Sequence, residues 1–173
     1  MTAPFGIEFY SAVADLQVLK DVGQGKFFIS APKAHPAFEQ YVVQATPRLG
    51  VVWIKAIAPV LDNDAYGTRI RQAQGDLRIQ LEKRYGRGKT TDFLMTGSIW
   101  DEDRYWTQGL SANERHYFTT WEKPSAQLPD DLTNVYLGAN GFGNDETSFS
   151  IEYSSAKLGE AEEEIRDMLS DLL

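Results

Sequence analysis

The chain has no cysteine among its 173 residues. That absence excludes disulfides, thiolate metal sites and cysteine nucleophiles. Histidine is scarce as well: His35 and His116 are the two, too few for a three-histidine zinc site. No apolar run approaches the ~18 residues that cross a bilayer, so no membrane span is expected. The opening MTAPFGIEFY lacks a basic region followed by a long apolar stretch, and so does not read as a signal peptide. A cytoplasmic protein is the simplest expectation. No motif calls for a cofactor.

Positive charge is short in the second half. Residues 90–173 hold five basic groups against seventeen acidic ones, whereas residues 64–89 hold seven basic against three, and residues 1–63 balance. A nucleic-acid binder needs a net basic face. Only the middle of the chain offers one, so nucleic acid is an unfavoured partner. The remaining composition, 42% apolar and 24% charged, is that of a globular chain long enough to bury a real core.

Periodicity then gives the elements. Ser11 to Val22 reads as a short helix, capped by Ser11, with Val13, Leu16 and Leu19 on one face and Gly23 ending it. KFFIS (26–30) is a strand. EQYVVQAT (39–46) and VVWIKAI (51–57) form a hairpin through Pro47-Arg48-Leu49-Gly50. The second of these strands is apolar on both faces, which predicts a central position. Residues 65–85 make the best helix, with Tyr66, Ile70, Ala73, Leu77, Leu81 and Tyr85 at spacings of three and four. Gly75 interrupts it, which suggests that another backbone passes close there. Strands follow at 115–121, 134–139 and 148–153. Leu158, Ala161, Ile165, Met168, Leu169 and Leu172 stripe a C-terminal helix over about 157–172. The expected fold is α+β, an antiparallel sheet with helices packed on one face. The order of elements suggests one domain built from two helix-plus-three-strand halves, 1–63 and 64–173.

Motifs for common chemistries fail on inspection. Gly88-Lys89-Thr90 resembles the end of a phosphate loop, but Lys83 stands where its first glycine belongs. Asp62-Asn63-Asp64 resembles the front of a calcium loop, but Ala73 stands where a bidentate glutamate is needed. Helix capping by Asp62 or Asp64 explains those residues instead. Gly97-Ser98 lacks the second glycine of a nucleophile elbow. A Ser98, His116 and Asp101 set can be drawn, but no spacing supports it. No metal ligand set and no catalytic residue is assigned.

The richest stretch is DFLMTGSIWDEDRYW, Asp92 to Trp106. It reads as a strand to Met95, a break at Gly97-Ser98, and a short helix capped by Asp101 or Asp103 and running to about Leu110. Its large rings anchor the second half. Tyr105 with Asp101, Glu102 and Asp103 forms a natural exposed rim, the composition of a protein-binding hot spot.

Several segments form a shared pattern: FGIEF, HPAFEQYVVQ, GVVWIKAI, AYGT, a helix ending KRYG, DFLMTGSIWDE and a late IEY strand. By these the chain, from about Phe5 to Tyr153, resembles a group of small bacterial proteins of unknown function. The resemblance implies a stand-alone soluble domain and carries no activity or site residue.

The leading expectation is therefore a non-enzymatic protein-binding module, of the inhibitor, immunity or phage–host conflict kind. Trp100, Tyr105 and Trp106 are its first candidate contacts, then Arg71 and Arg78. A small carboxylate-based hydrolase, helped by His116 or His35, is the second reading. A nucleic-acid binder using Arg71, Arg78 and Arg84 is the third.

Overall fold

The computed structural model describes residues 3–173 and shows an α+β fold, an eight-stranded antiparallel sheet with three α-helices. β1 (Gln17–Gly23), β2 (Lys26–Ser30), β3 (Gln40–Thr46) and β4 (Gly50–Ile57) precede α1 (Thr68–Tyr85). β5 (Lys89–Leu94), the short α2 (Trp106–Ser111), β6 (Arg115–Glu122), β7 (Leu132–Phe142), β8 (Glu146–Ser155) and α3 (Leu158–Ser170) follow. The strands pair in the order β1-β2-β3-β4-β8-β7-β6-β5, which leaves β1 and β5 as edges. β4 is interior to that order, as its two apolar faces predict.

Two expected elements are corrected. The helix expected to be capped by Asp101 or Asp103 is a 3-10 turn, Asp103–Tyr105, followed by α2, and no side chain caps either start. The other element changes type. Ser11 to Val22 is not a helix: Val13–Asp15 makes a single 3-10 turn, and Gln17–Gly23 is strand β1. The reversal at Gly23-Gln24-Gly25 decides this. All three residues have positive φ, 84°, 56° and 74°, which folds β1 back onto β2 and gives its backbone a ladder to join. Every residue of β1 is exposed, so no buried face imposes an alternating pattern on it.

The chain clusters into two compact units. The first comprises the chain up to Ala56 with Leu128–Val135 and Glu152–Leu173. Its core is built on β3 and β4, where Val43, Val51, Val52 and Ile54 are fully buried, and Ala161 of α3 seals against Leu49 and Val52. Each such aliphatic side chain contributes roughly 1.5–3 kcal/mol. The Phe5 ring meets Phe38, Tyr41 and Tyr153 edge-on at 5.6, 5.0 and 5.9 Å. Arg48, at the β3–β4 turn, lies 3.7 Å from Glu160 and 3.8 Å from Glu164, which gives two of the α3 carboxylates a partner.

The second unit comprises Ile57–Gln127 and Tyr136–Ile151. α1 buries Ile70, Leu77, Leu81 and Tyr85 of the expected stripe, together with Gln74; Tyr66 instead precedes the helix and is exposed, and Ala73 is only half-buried. Trp121 is fully buried, and its indole N–H donates to the Gly86 carbonyl at 2.8 Å. The backbone approach expected at Gly75 is absent, since a Cβ there meets nothing within 4 Å.

The start of α1 is fixed by the buried carboxylate of Asp64. Its two oxygens accept from the Arg69 and Ile70 amides at 2.8 and 3.0 Å, and Oδ2 also accepts from Thr147 Oγ1 at 2.7 Å. These are the free N–H groups of a helix's first turn, so Asp64 does from upstream what a capping residue does in place. Asp62 pairs with Arg69 at 2.9 Å. The capping reading of this segment is correct, and both its aspartates are engaged.

Candidate functional site

The site grows out of edge strand β5. β5 pairs with β6 in unbroken register from Lys89↔Thr120 to Leu94↔Arg115. Phe93 faces His116 across that ladder, and their rings stack at 5.6 Å. Phe93 is still about half exposed (49%) because no strand lies beyond β5. The chain then leaves the sheet. The Met95 amide donates to the Glu114 carbonyl at 2.7 Å, and the Ser98 amide to the Met95 carbonyl at 3.1 Å, closing a tight turn. Ser98 Oγ accepts from the Trp100 amide at 3.2 Å, so this hydroxyl shapes the turn.

Met95 and Ile99 project into solvent from this turn, Ile99 being 73% exposed. Trp100 and Tyr105 are half-buried and touch edge-on at 5.5 Å. Arg104 lies over the Tyr105 ring at 4.7 Å and pairs with Glu102 at 2.8 Å. Asp92, Asp101, Glu102 and Asp103 are exposed around these side chains. The result is an apolar and aromatic surface with an acidic rim, carried by one continuous segment.

Trp106 holds that segment down. It is 4% exposed, in edge contact with Tyr117 at 5.8 Å, and two guanidinium groups lie against its ring, Arg71 at 4.9 Å and Arg115 at 5.4 Å. Gly67 makes room for it: φ is +68°, and a Cβ there would lie 2.0 Å from the indole. Thr107 Oγ1 donates to the Asp64 carbonyl, tying α2 to the loop that opens α1.

The sequence-derived contacts therefore divide. Trp100 and Tyr105 lie together at the surface. Trp106 and Arg71 lie together beneath it, with Trp106 a core residue that offers a partner no area. Arg71 is further occupied by the carbonyls of Tyr66 and Gly67. Arg78 sits two turns further along α1, paired with Glu82 at 3.1 Å. Phe93, Met95 and Ile99 belong to the surface and escape sequence reading. A short strand rich in apolar residues looks buried unless its edge position is known.

The histidines sit in less promising places for catalysis. His35 Nδ1 accepts from the Ala37 amide at 3.1 Å, and its own amide donates to Tyr41 Oη at 2.8 Å, so it shapes a loop. His116 borders a depression of about 230 Å³ with Asn113, Arg115, Phe118, Tyr136 and Asn140; the lining contains no carboxylate to orient it as a base. Among the described residues no cluster of three or more His, Asp or Glu could hold a metal, and no helix is long and apolar enough to cross a membrane.

A larger cavity, about 370 Å³, lies in the first unit between Pro4, Phe9, Tyr10 and Leu132, and Glu8, Asp130 and Asp131 also line it. Tyr10 and Asp130 hold left-handed backbone conformations there, φ 69° and 49°. The Tyr10 hydroxyl is buried without a well-aligned hydrogen bond, with Ser155 and Asp131 its near polar neighbours. Burial raises its pKa above the ordinary 10.0; Ser155 offsets part of that rise, and Asp131 and then Glu160 add to it.

Compared with known proteins, the chain matches no family model, no curated protein and no solved structure.

Proposed function

We propose that this chain is a non-enzymatic protein-binding module of the inhibitor or immunity kind, and that residues 93–105 are its contact surface. One observation carries the reading. A segment clamped from below by Trp106 presents Phe93, Met95 and Ile99 outward beside the half-buried Trp100 and Tyr105, with carboxylates around them. Aromatic and aliphatic side chains with a polar rim are what a protein interface uses for energy and water exclusion. Rigid support lowers the entropy cost of ordering them on binding.

The test is affinity capture from the producing cells with the wild-type chain and with the Ile99→Asp/Trp100→Ala double variant. The reading expects a protein retained by the wild type and lost from the variant, with both proteins folded. The same proteins retained by both would contradict it.

A second reading, a carboxylate-based hydrolase, has one support: a cavity lined by Glu8, Asp130 and Asp131 together with Tyr10. It expects turnover of simple glycosides or esters that Asp131→Asn abolishes. No turnover by the wild-type chain would dismiss it.

A further inference from the structure

The two edges of the sheet differ in a way that selects one of them. β1 meets β2 with two breaks in register, between Val18 and Lys20 and between Asp21 and Gly23. Such bulges twist an edge and spoil it as a template for further pairing. β5 has no such break: six consecutive residues, Lys89 to Leu94, pair one-for-one with β6. Its outer side is therefore a regular row of backbone donors and acceptors. Six residues is also the ordinary length of a strand.

Charge then selects the occupant. The end of β5 next to the turn carries Asp92, Asp101, Glu102 and Asp103; Arg115 pairs Asp92 at 3.8 Å and Arg104 pairs Glu102 at 2.8 Å, which leaves Asp101 and Asp103 as the surplus negative charge there. The opposite end carries Arg87 and Lys89. A segment lying along β5 thus meets a negative surplus at the turn end, and Arg87 and Lys89 beside the single carboxylate of Glu122 at the other. Phe93, Met95 and Ile99 offer apolar contact at that same end.

Resting on the reading of residues 93–105 as a contact surface, we propose that β5 takes an extended segment of the partner protein as an added strand. The segment alternates apolar and polar residues and concentrates lysine or arginine at the end beside the 95–105 turn. Backbone hydrogen bonds supply affinity in this mode, and the alternate side chains supply specificity. The acidic rim rejects an acidic segment by like-charge repulsion.

The experiment is selection of a random displayed peptide library on the immobilised full chain. The enriched peptides are then synthesised and bound while amide hydrogen exchange is followed. The expected result is enrichment of peptides that alternate apolar with polar residues and carry lysine or arginine near one end. Those peptides slow exchange of the β5 amides, Lys89 to Leu94, and about 0.5 M salt weakens them at least roughly threefold. Replacing both Asp101 and Asp103 by asparagine weakens them by a similar factor. Enrichment of acidic or proline-rich peptides, protection centred on β1, or no enrichment would overturn strand addition at β5. If Ile99→Asp/Trp100→Ala still loses the captured partner in that event, the surface reading stands without it. If peptides protect β5 but the double variant keeps its partner, the surface reading fails instead.

Discussion

Asp64 and Thr147 stand 83 residues apart in sequence, and their side chains are joined by a buried hydrogen bond of 2.7 Å. The same carboxylate caps α1 through the amides of Arg69 and Ile70. Removing it strands two helix-end donors and a hydroxyl in the interior. Asp64→Ala is expected to cost about 3 kcal/mol, a fall in Tm of roughly 10 °C for a chain of this length. Thr147→Val, which removes one donor and leaves the cap, is expected to cost about 1.5 kcal/mol. Thermal and urea unfolding measure both. Equal, small effects would mean that water replaces these bonds.

Trp106 and Ile99 separate packing from binding. Trp106→Ala empties a buried site and is expected to cost about 3–5 kcal/mol. Gly67→Ala drives a methyl group into the same ring from a left-handed backbone position, and a loss of about 3 kcal/mol is expected. Ile99→Ser changes only exposed surface and is expected to stay within about 0.5 kcal/mol of wild type. Urea midpoints at unchanged slope decide these three.

Gly75 offers a gain. It sits inside α1 with open space where a Cβ would stand. Gly75→Ala is expected to stabilise the chain by about 0.5–1 kcal/mol. A destabilised variant would show that α1 packs more tightly at this point than its geometry indicates.

Alkaline pH should weaken the fold through its buried tyrosines. Burial raises the Tyr85 phenol above its ordinary 10.0, and Arg84 offsets part of that rise. A pKa raised on folding means that the folded state resists losing the proton. Stability is therefore intact below about pH 10 and falls as pH rises through the raised value. Tyr10 shifts in the same direction. Tyr85→Phe is expected to make this alkaline fall shallower, as followed by urea unfolding against pH. An unchanged slope would assign the fall to other groups.

Much of the fold was legible in the sequence because burial leaves a period. α1 shows Ile70, Leu77, Leu81 and Tyr85 on one side, and β4 is apolar on both faces because it is interior. β1 defeated the same logic, since a fully exposed strand has no buried side to write a pattern. Its signal lay in the Gly23-Gln24-Gly25 turn, read instead as a helix stop. Trp106 and Trp100 are six residues apart and look alike in composition. Only the third dimension shows that Arg71, Arg115 and Tyr117 surround one of them, while the other is half-buried against Tyr105. The cavity at Glu8, Asp130 and Asp131 joins residues more than 120 positions apart, a juxtaposition that no local pattern announces.

The most direct measurement of the account places a photo-crosslinking residue at Ile99 and, separately, at Ile79 on the exposed side of α1. Both chains are then irradiated in the producing cells. Both positions are exposed to solvent and both lie in the second unit. The account predicts a discrete protein adduct from position 99 and none from position 79. An adduct from position 79 alone, from both positions equally, or from neither would contradict it.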